Sequence, residues 1–447
     1  MRYARQSDGS SQFDMMCTAP KLWPQYLLTV LCNLGTLSFG LHSGWLAPLH
    51  LRLMSADSPL ERPLTTEEIS WIGSIPAVSF LLGTFVFGCL LQKVGRRPSA
   101  LLAVAPNILC FLVLMLSHNV YMIYAARFLA GFTAAGAVLV TPVYVNESAG
   151  EDIRGFLCGL SAFFVNIGVL ISATAGGYFP YWLFNAICLS FSLVFVAFYP
   201  WLPETPVFLA SRGKTKEASE VLKKLGRETE PELATETGDH RKGLRDLLSD
   251  GTFTRSLFLG VGVMTAHQSS ADAPPSSRTP PKSSTSPAAA CRRAGRKFLL
   301  MASLIVMGTC LCILSVFTFL RNRCETDGFG WVPAATIFVY MIGFSSGIGS
   351  VSFVLVTELF LPEVRGISGA VCGAWASILG FVSIKFFPVV AEQVSLACIL
   401  AAYAVFCSTG TLFAYFFVVE TRGKSSREIV DLLARKRTET DLEMRGR

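Results

Sequence analysis

Residues 142–155 read PVYVNESAGEDIRG, and residues 352–366 read SFVLVTELFLPEVRG. Each stretch sets a glutamate, Glu147 or Glu358, seven positions ahead of an arginine, Arg154 or Arg365, where an apolar run gives way to polar chain. Two further pairs follow the same order. GRRP at 95–98 answers to GRK at 295–297, and PET at 203–205 answers to VET at 419–421, with offsets of 200 to 216 residues. Three motifs repeated in register imply two related halves, the internal duplication on which many membrane transporters are built.

The chain around these motifs is mostly oil. Of its 447 residues 52% are hydrophobic, only 15% are charged, and 34 are Phe, a composition outside that of soluble domains. Ten apolar runs, near 26–49, 69–91, 99–117, 121–145, 156–178, 182–202, 298–320, 331–357, 366–390 and 395–419, are long enough to cross the bilayer as helices. The short alternating segments of a β-barrel are absent, so the expected class is all-α membrane. Ten of the thirteen cysteines fall inside these runs, and Cys17, Cys291 and Cys324 stand apart with no CxxC spacing, as free thiols would.

The net charge of +7 would suit nucleic acid, but its positions point to lipid. KVGRR (93–97), RRAGRK (292–297) and TRGKSSR (421–427) each abut a span, and all fall on one side if both termini are cytoplasmic. No nucleic-acid partner is expected. The expected organisation is a cytoplasmic tail at 1–25 without a cleaved leader, a six-helix bundle at 26–202, and a charged helical insert at 203–252. A truncated helix at 253–266, a Ser/Pro-rich segment at 267–291, four spans at 292–419 and a cytoplasmic tail at 420–447 complete it. The helix is taken as truncated because SLFLGVGVMTA (256–266) has eleven residues, about 16 Å of helix. The segment after it is either a real cytoplasmic loop or foreign sequence from a translated intron or frame shift, since the motif resumes abruptly at RAGRK.

Together GRRP, PVYVNESAGEDIRG, LPETPVFL (202–209), SFVLVTELFLPEVRG and VVETRGKS (418–425) resemble the sugar-porter family of the major facilitator superfamily, nearest its insect trehalose-transporter branch. The resemblance implies a twelve-helix, two-bundle fold with a central sugar site, here with helix seven truncated and helix eight missing. It implies gating roles for Glu147, Arg154, Glu204, Glu358, Arg365 and Glu420, with Arg96, Arg97 and Arg296, whose charges would pair across the bundle interface at the cytoplasmic mouth. Arg127 matches the family's arginine in the fourth helix; in physical terms it is either functional or snorkelling to headgroups.

The family pattern is incomplete. Gln92 and Arg292 stand where an aspartate is usual, which implies a looser latch. Ala162 replaces a usual glutamine, Ser352-Phe353 a usual Pro-Trp, and Ala374-Trp375 a usual Asn-Trp, while the seventh-helix glutamine signature should begin near His267-Gln268-Ser269. Asn33, Asn166, Phe353 and Trp375 remain as candidate sugar contacts. Each lost hydrogen bond forfeits about 0.5 to 1.5 kcal/mol against the roughly 4 kcal/mol of millimolar binding. No Asp or Glu lies near the centre of a span, so uncoupled transport is expected, and Lys385 is the one cation deep in a late span.

The expected function is facilitated transport of trehalose or a hexose across the plasma membrane by alternating access, with a sugar and the bilayer as partners and no cofactor. A transport-inactive relative, acting as a sensor or partner protein or as a defective product, is the alternative of another class; a proton-coupled symporter is a minor variant. The sequence shows no catalytic triad, metal cluster or phosphate-binding loop, and no enzyme is expected.

Overall fold

The computed structural model describes residues 23–56, 58–227, 251–271, 295–321, 331–360, 365–421 and 428. The described chain is nearly all helix, with no strand among the described residues. Its first half contains α1 (Trp23–Met54), α2 (Thr66–Lys93), α3 (Arg96–Met115), α4 (Val120–Ser148), α5 (Glu151–Tyr178) and α6 (Tyr181–Phe198), followed by the short α7 (Pro206–Ser211) and α8 (Thr215–Lys224). The second half contains α9 (Gly251–Ala271), α10 (Arg296–Arg321), α11 (Val332–Ser346), α12 (Ile348–Leu359), α13 (Arg365–Gln393) and α14 (Leu396–Phe416). Each of the ten expected runs maps onto one of these helices, the run at 331–357 being split at Gly347 into α11 and α12. Eight helices among the described residues are long and apolar enough to cross a membrane.

Helix ends follow local chemistry. Thr65 and Glu68 form a reciprocal capping box at the start of α2, Asn119 caps α4 through Met122 N–H, and Pro206 opens α7, where its missing N–H costs nothing. After α6, α8 lays an apolar face (Ala218, Val221, Leu222) on the first half while its lysines stay in water.

The halves repeat one another in packing as well as in sequence. α1 packs on α5 as α9 packs on α13, α3 packs on α4 as α10 packs on α11 and α12, and α3 packs on α6 as α10 packs on α14. α2 breaks this symmetry. It packs on α4 inside its own half and on α13 in the other, and among the described residues no helix of the second half plays its part. α5, the counterpart of α13, leaves Phe163 and Leu170 exposed (43% and 38%).

The expected stub at 253–266 needs correction. α9 runs from Gly251 to Ala271, and His267–Ser270 belong to it rather than to the Ser/Pro-rich segment, of which 272–291 lies outside the described residues. Tertiary partners hold these polar residues: His267 lies against Phe344, the Tyr340 hydroxyl donates to the Ser270 carbonyl, and the Ser270 hydroxyl meets Cys407 Sγ at 3.7 Å. The described residues of α9 reach only partway along two of its neighbours. α9 runs antiparallel to α14, with Phe258 against Phe413 and Phe417, Gly262 against Phe413, Ala266 against Gly410 and Ser270 against Cys407. Residues 396–406 of α14 therefore continue about 16 Å past the level of Ser270. α13 outruns α9 similarly, since Gln268 meets Gly380 and α13 continues to Gln393.

Candidate functional site

At the end of the molecule that carries the basic motifs, the PET and VET glutamates do the same work in each half. Glu204 Oε1 accepts from the backbone N–H groups of Arg96 and Arg97 at 3.0 and 3.1 Å, and Glu420 accepts from those of Arg296 and Lys297 at 2.9 and 3.2 Å. Each carboxylate thus closes a helix N-terminus, satisfying orphan donors and meeting the positive end of the helix dipole. The approach requires the motif glycines. Gly95 has φ +112°, and a Cβ there would lie 2.5 Å from Glu204 Oε2; a Cβ on Gly295 would meet Glu420 Oε2 closer still.

A second layer ties the first half's motifs together. Arg96 grips Glu147 through Nη2 at 2.5 Å and Nε at 3.1 Å, with both side chains largely buried (18% and 14% exposed). The Thr205 hydroxyl donates to Glu147 Oε2 at 2.6 Å, and the Tyr144 hydroxyl donates to the Pro203 carbonyl at 2.7 Å. Arg96 stacks on Phe208 and Arg97 on Tyr199. In the second half Arg296 Nη1 donates to Thr421 Oγ1 at 3.4 Å.

These described contacts stay within one half each. The pairing across the bundle interface expected from sequence is not among them, and the side chains of Arg154, Phe353, Glu358 and Arg365 lie outside the described residues. Where Gln92 replaces the usual aspartate, Arg212 from the end of α7 donates to the carbonyls of Gln92 (3.3 Å) and Lys93 (2.6 Å), a cation at the C-terminus of α2. Tyr144 and Arg212 are contributors that the motif pairing does not reveal, since neither recurs in the second half, whereas Thr205 recurs as Thr421.

Arg127 is 5% exposed, which removes snorkelling as its role. Its Nε donates to the Ile72 carbonyl of α2 and its Nη1 to the His42 carbonyl of α1, both at 3.0 Å, and its guanidinium lies over Trp45. The sequence prepares one acceptor. Four residues after Ile72 stands Pro76, which has no N–H, so the Ile72 carbonyl lacks its helical donor and is open to Arg127. Around this pair, His42 Nε2 meets Asn107 Oδ1, Asn107 donates to Ser192 Oγ at 2.5 Å, and Trp45 donates to Asn185 Oδ1 at 2.9 Å. One buried polar network thereby joins α1, α2, α3, α4 and α6, and fixes the first half as a unit.

The candidate sugar contacts differ in availability. Asn33 is fully buried and its amide is used within α1, donating to the Thr29 carbonyl at 2.8 Å and accepting from Thr36 at 2.9 Å. Asn166 is exposed and donates to the Ala162 carbonyl at 2.9 Å. Trp375 is 40% exposed, and its indole N–H donates at 2.9 Å to Thr265, whose hydroxyl donates to the Val261 carbonyl at 2.8 Å. Gln268 packs on Gly380 of the same α13, so Thr265 and Gln268, on the stretch where the sequence pattern breaks down, stand beside Trp375.

The family described as "Sugar (and other) transporter" matches residues 27–273 and 284–433. The interruption, 274–283, falls inside the Ser/Pro-rich segment. The "Facilitated trehalose transporter Tret1" of Bombyx mori is 26% identical over 446 residues, covering 91% of this chain and 86% of that protein. The protein of the same name from Apis mellifera ligustica is 29% identical over 460 residues, covering 94% and 90%. Among solved structures, the inward-open xylose transporter XylE from E. coli matches with a TM-score of 0.70 at 19% identity, covering 91% of this chain and 99% of that one. The proton:xylose symporter XylE bound to 6-bromo-6-deoxy-D-glucose matches with a TM-score of 0.67 at 19% identity, covering 92% of this chain and 99% of that one. Fold, motifs and family match agree on a multi-pass integral membrane protein of a transporter rather than an enzyme class: the chain belongs to the sugar (and other) transporter family.

Proposed function

We propose that the chain is a facilitative sugar transporter, for trehalose or a hexose, that works by alternating access in the plasma membrane with both termini cytoplasmic. The observation that carries this reading is mechanical. Each half is tied internally by buried polar contacts at its motif end, and the two halves meet chiefly along one helix pair, α2 on α13, an arrangement that permits the halves to rock as units. The relatives named as facilitated trehalose transporters support the substrate class. The lack of an acidic residue near the centre of any span supports uncoupled movement. Asn166, Trp375 and Gln268 are the sugar contacts favoured by this reading, and Arg96, Glu147, Glu204, Arg296 and Glu420 its latch.

A second reading, a transport-inactive relative, is favoured by Ala162, Ala374 and the lack, among the described residues, of a second-half counterpart of α2. Counterflow separates the two. In proteoliposomes containing the full chain, labelled trehalose and glucose should show saturable uptake that accelerates against the same unlabelled sugar and does not respond to an imposed pH gradient. Uptake equal to protein-free liposomes supports the inactive reading, and stimulation by an inward proton gradient supports a symporter.

A further inference from the structure

The end of the molecule opposite the basic motifs carries its own contact between the halves, and no sequence motif announced it. Lys385, on α13, places Nζ 4.0 Å from the ring centroid of Trp71 on α2 and 4.0 Å from Glu67 Oε1, one turn earlier on the same helix. Ser70 Oγ donates to the Lys385 carbonyl at 2.8 Å, Trp71 packs on Phe381, and Gly73 approaches Ile384. The Lys385 side chain is only 16% exposed while Glu67 is 80% exposed, so the cation rests on the indole face and the carboxylate closes over it from the solvent side.

Among the described residues, two features single this contact out. The equivalent closure on the other side of the pseudo-symmetric molecule would need a second-half counterpart of α2 against α5, and none stands there among the described residues. α9 gives no help either, because its described residues end level with Cys407 and Gly380, well short of the far ends of α13 and α14.

We propose that Lys385, Trp71 and Glu67 form a clasp that holds the far mouth, the outer one in the orientation given above, shut between the two halves. Opening that mouth separates α2 from α13 and pulls the ammonium off the indole. The charge on the aromatic face, more than the bulk of the lysine, therefore sets how often the mouth is open. This rests on the alternating-access reading but not on which sugar is carried.

The test is a distance measurement on the full chain in liposomes with no sugar added. Spin labels on bio-orthogonal residues at Glu61 and Val394, exposed positions in the loop before α2 and just past the end of α13, leave the thirteen native cysteines in place. In the unaltered protein the distance distribution should be dominated by one short population. Lys385→Met should at least triple the fraction at longer distance, Trp71→Leu should do the same, and Lys385→Arg should restore the short population. An unchanged distribution in Lys385→Met and Trp71→Leu overturns the clasp, as does an equal shift in Lys385→Met and Lys385→Arg, which would assign the effect to packing. Should Lys385→Met fail to fold, Trp71→Leu reads the same equilibrium from the other partner. Counterflow on the same liposomes keeps the two questions apart: a clasp response with no sugar movement leaves the clasp standing and the transport reading fallen.

Discussion

Arg127 shows how a charge is kept inside a membrane helix bundle without a carboxylate. Its two carbonyl partners come from different helices, and one of them is open only because Pro76 withholds an N–H from Ile72. Arg127→Met should leave that buried carbonyl unpaired and cost about 1 to 3 kcal/mol of stability. Pro76→Ala supplies the missing backbone donor, so it should reduce the cost of Arg127→Met while weakening the protein when Arg127 is present. A double-mutant cycle read by thermal unfolding in detergent checks this, and simple additivity of the two changes would show that the Ile72 carbonyl is not the shared element. The arginine itself was legible in sequence as a charge that needs an account. Its role was not, because the deciding partner is a backbone atom whose availability depends on a proline 51 positions away.

At the scale of elements, the spans were legible because membrane helices must bury their own backbone polarity, which makes length and apolarity sufficient signals. All ten runs became helix on those grounds. The end of α9 was not legible, because His267–Ser270 look like the start of a polar linker and are helical only through contacts with α11, α13 and α14. The sugar contacts suffered likewise: Asn33 reads as a polar group in a span, yet its own helix consumes its amide. Trp375 gained a partner, Thr265, from α9. Thr265→Val should leave the indole N–H unpaired and cost about 0.5 to 1.5 kcal/mol, as should Trp375→Phe. The double variant should cost less than the sum of the singles by a similar amount, as measured by thermal unfolding. Thr265→Ser, which keeps the hydroxyl, should recover most of the loss.

For the whole molecule, the decisive quantity is the number of membrane crossings. Each of the ten apolar runs lies on one helix or helix pair, and if each crosses once the even number returns the C-terminus to the side of the N-terminus. α9 tests that parity. Its start follows the basic-end insert, its described end lies level with the middle of α14, and α10 begins again at the basic end, where Glu420 closes its N-terminus. A helix that begins at one face and a successor that starts from the same face leave the parity untouched, whatever depth α9 reaches. Tags placed at either terminus should therefore be stained only after the cells are permeabilised, and a tag after Glu61, in the loop between α1 and α2, should be stained on intact cells. If the chain instead made a net single crossing between α9 and α10, the basic motifs of the two halves would face opposite sides. The C-terminal tag would then be stained on intact cells while the N-terminal tag was not. Such a result would also separate Glu204 from Glu420, and with them the mirrored latch, since two carboxylates closing helices at opposite faces cannot act on one mouth.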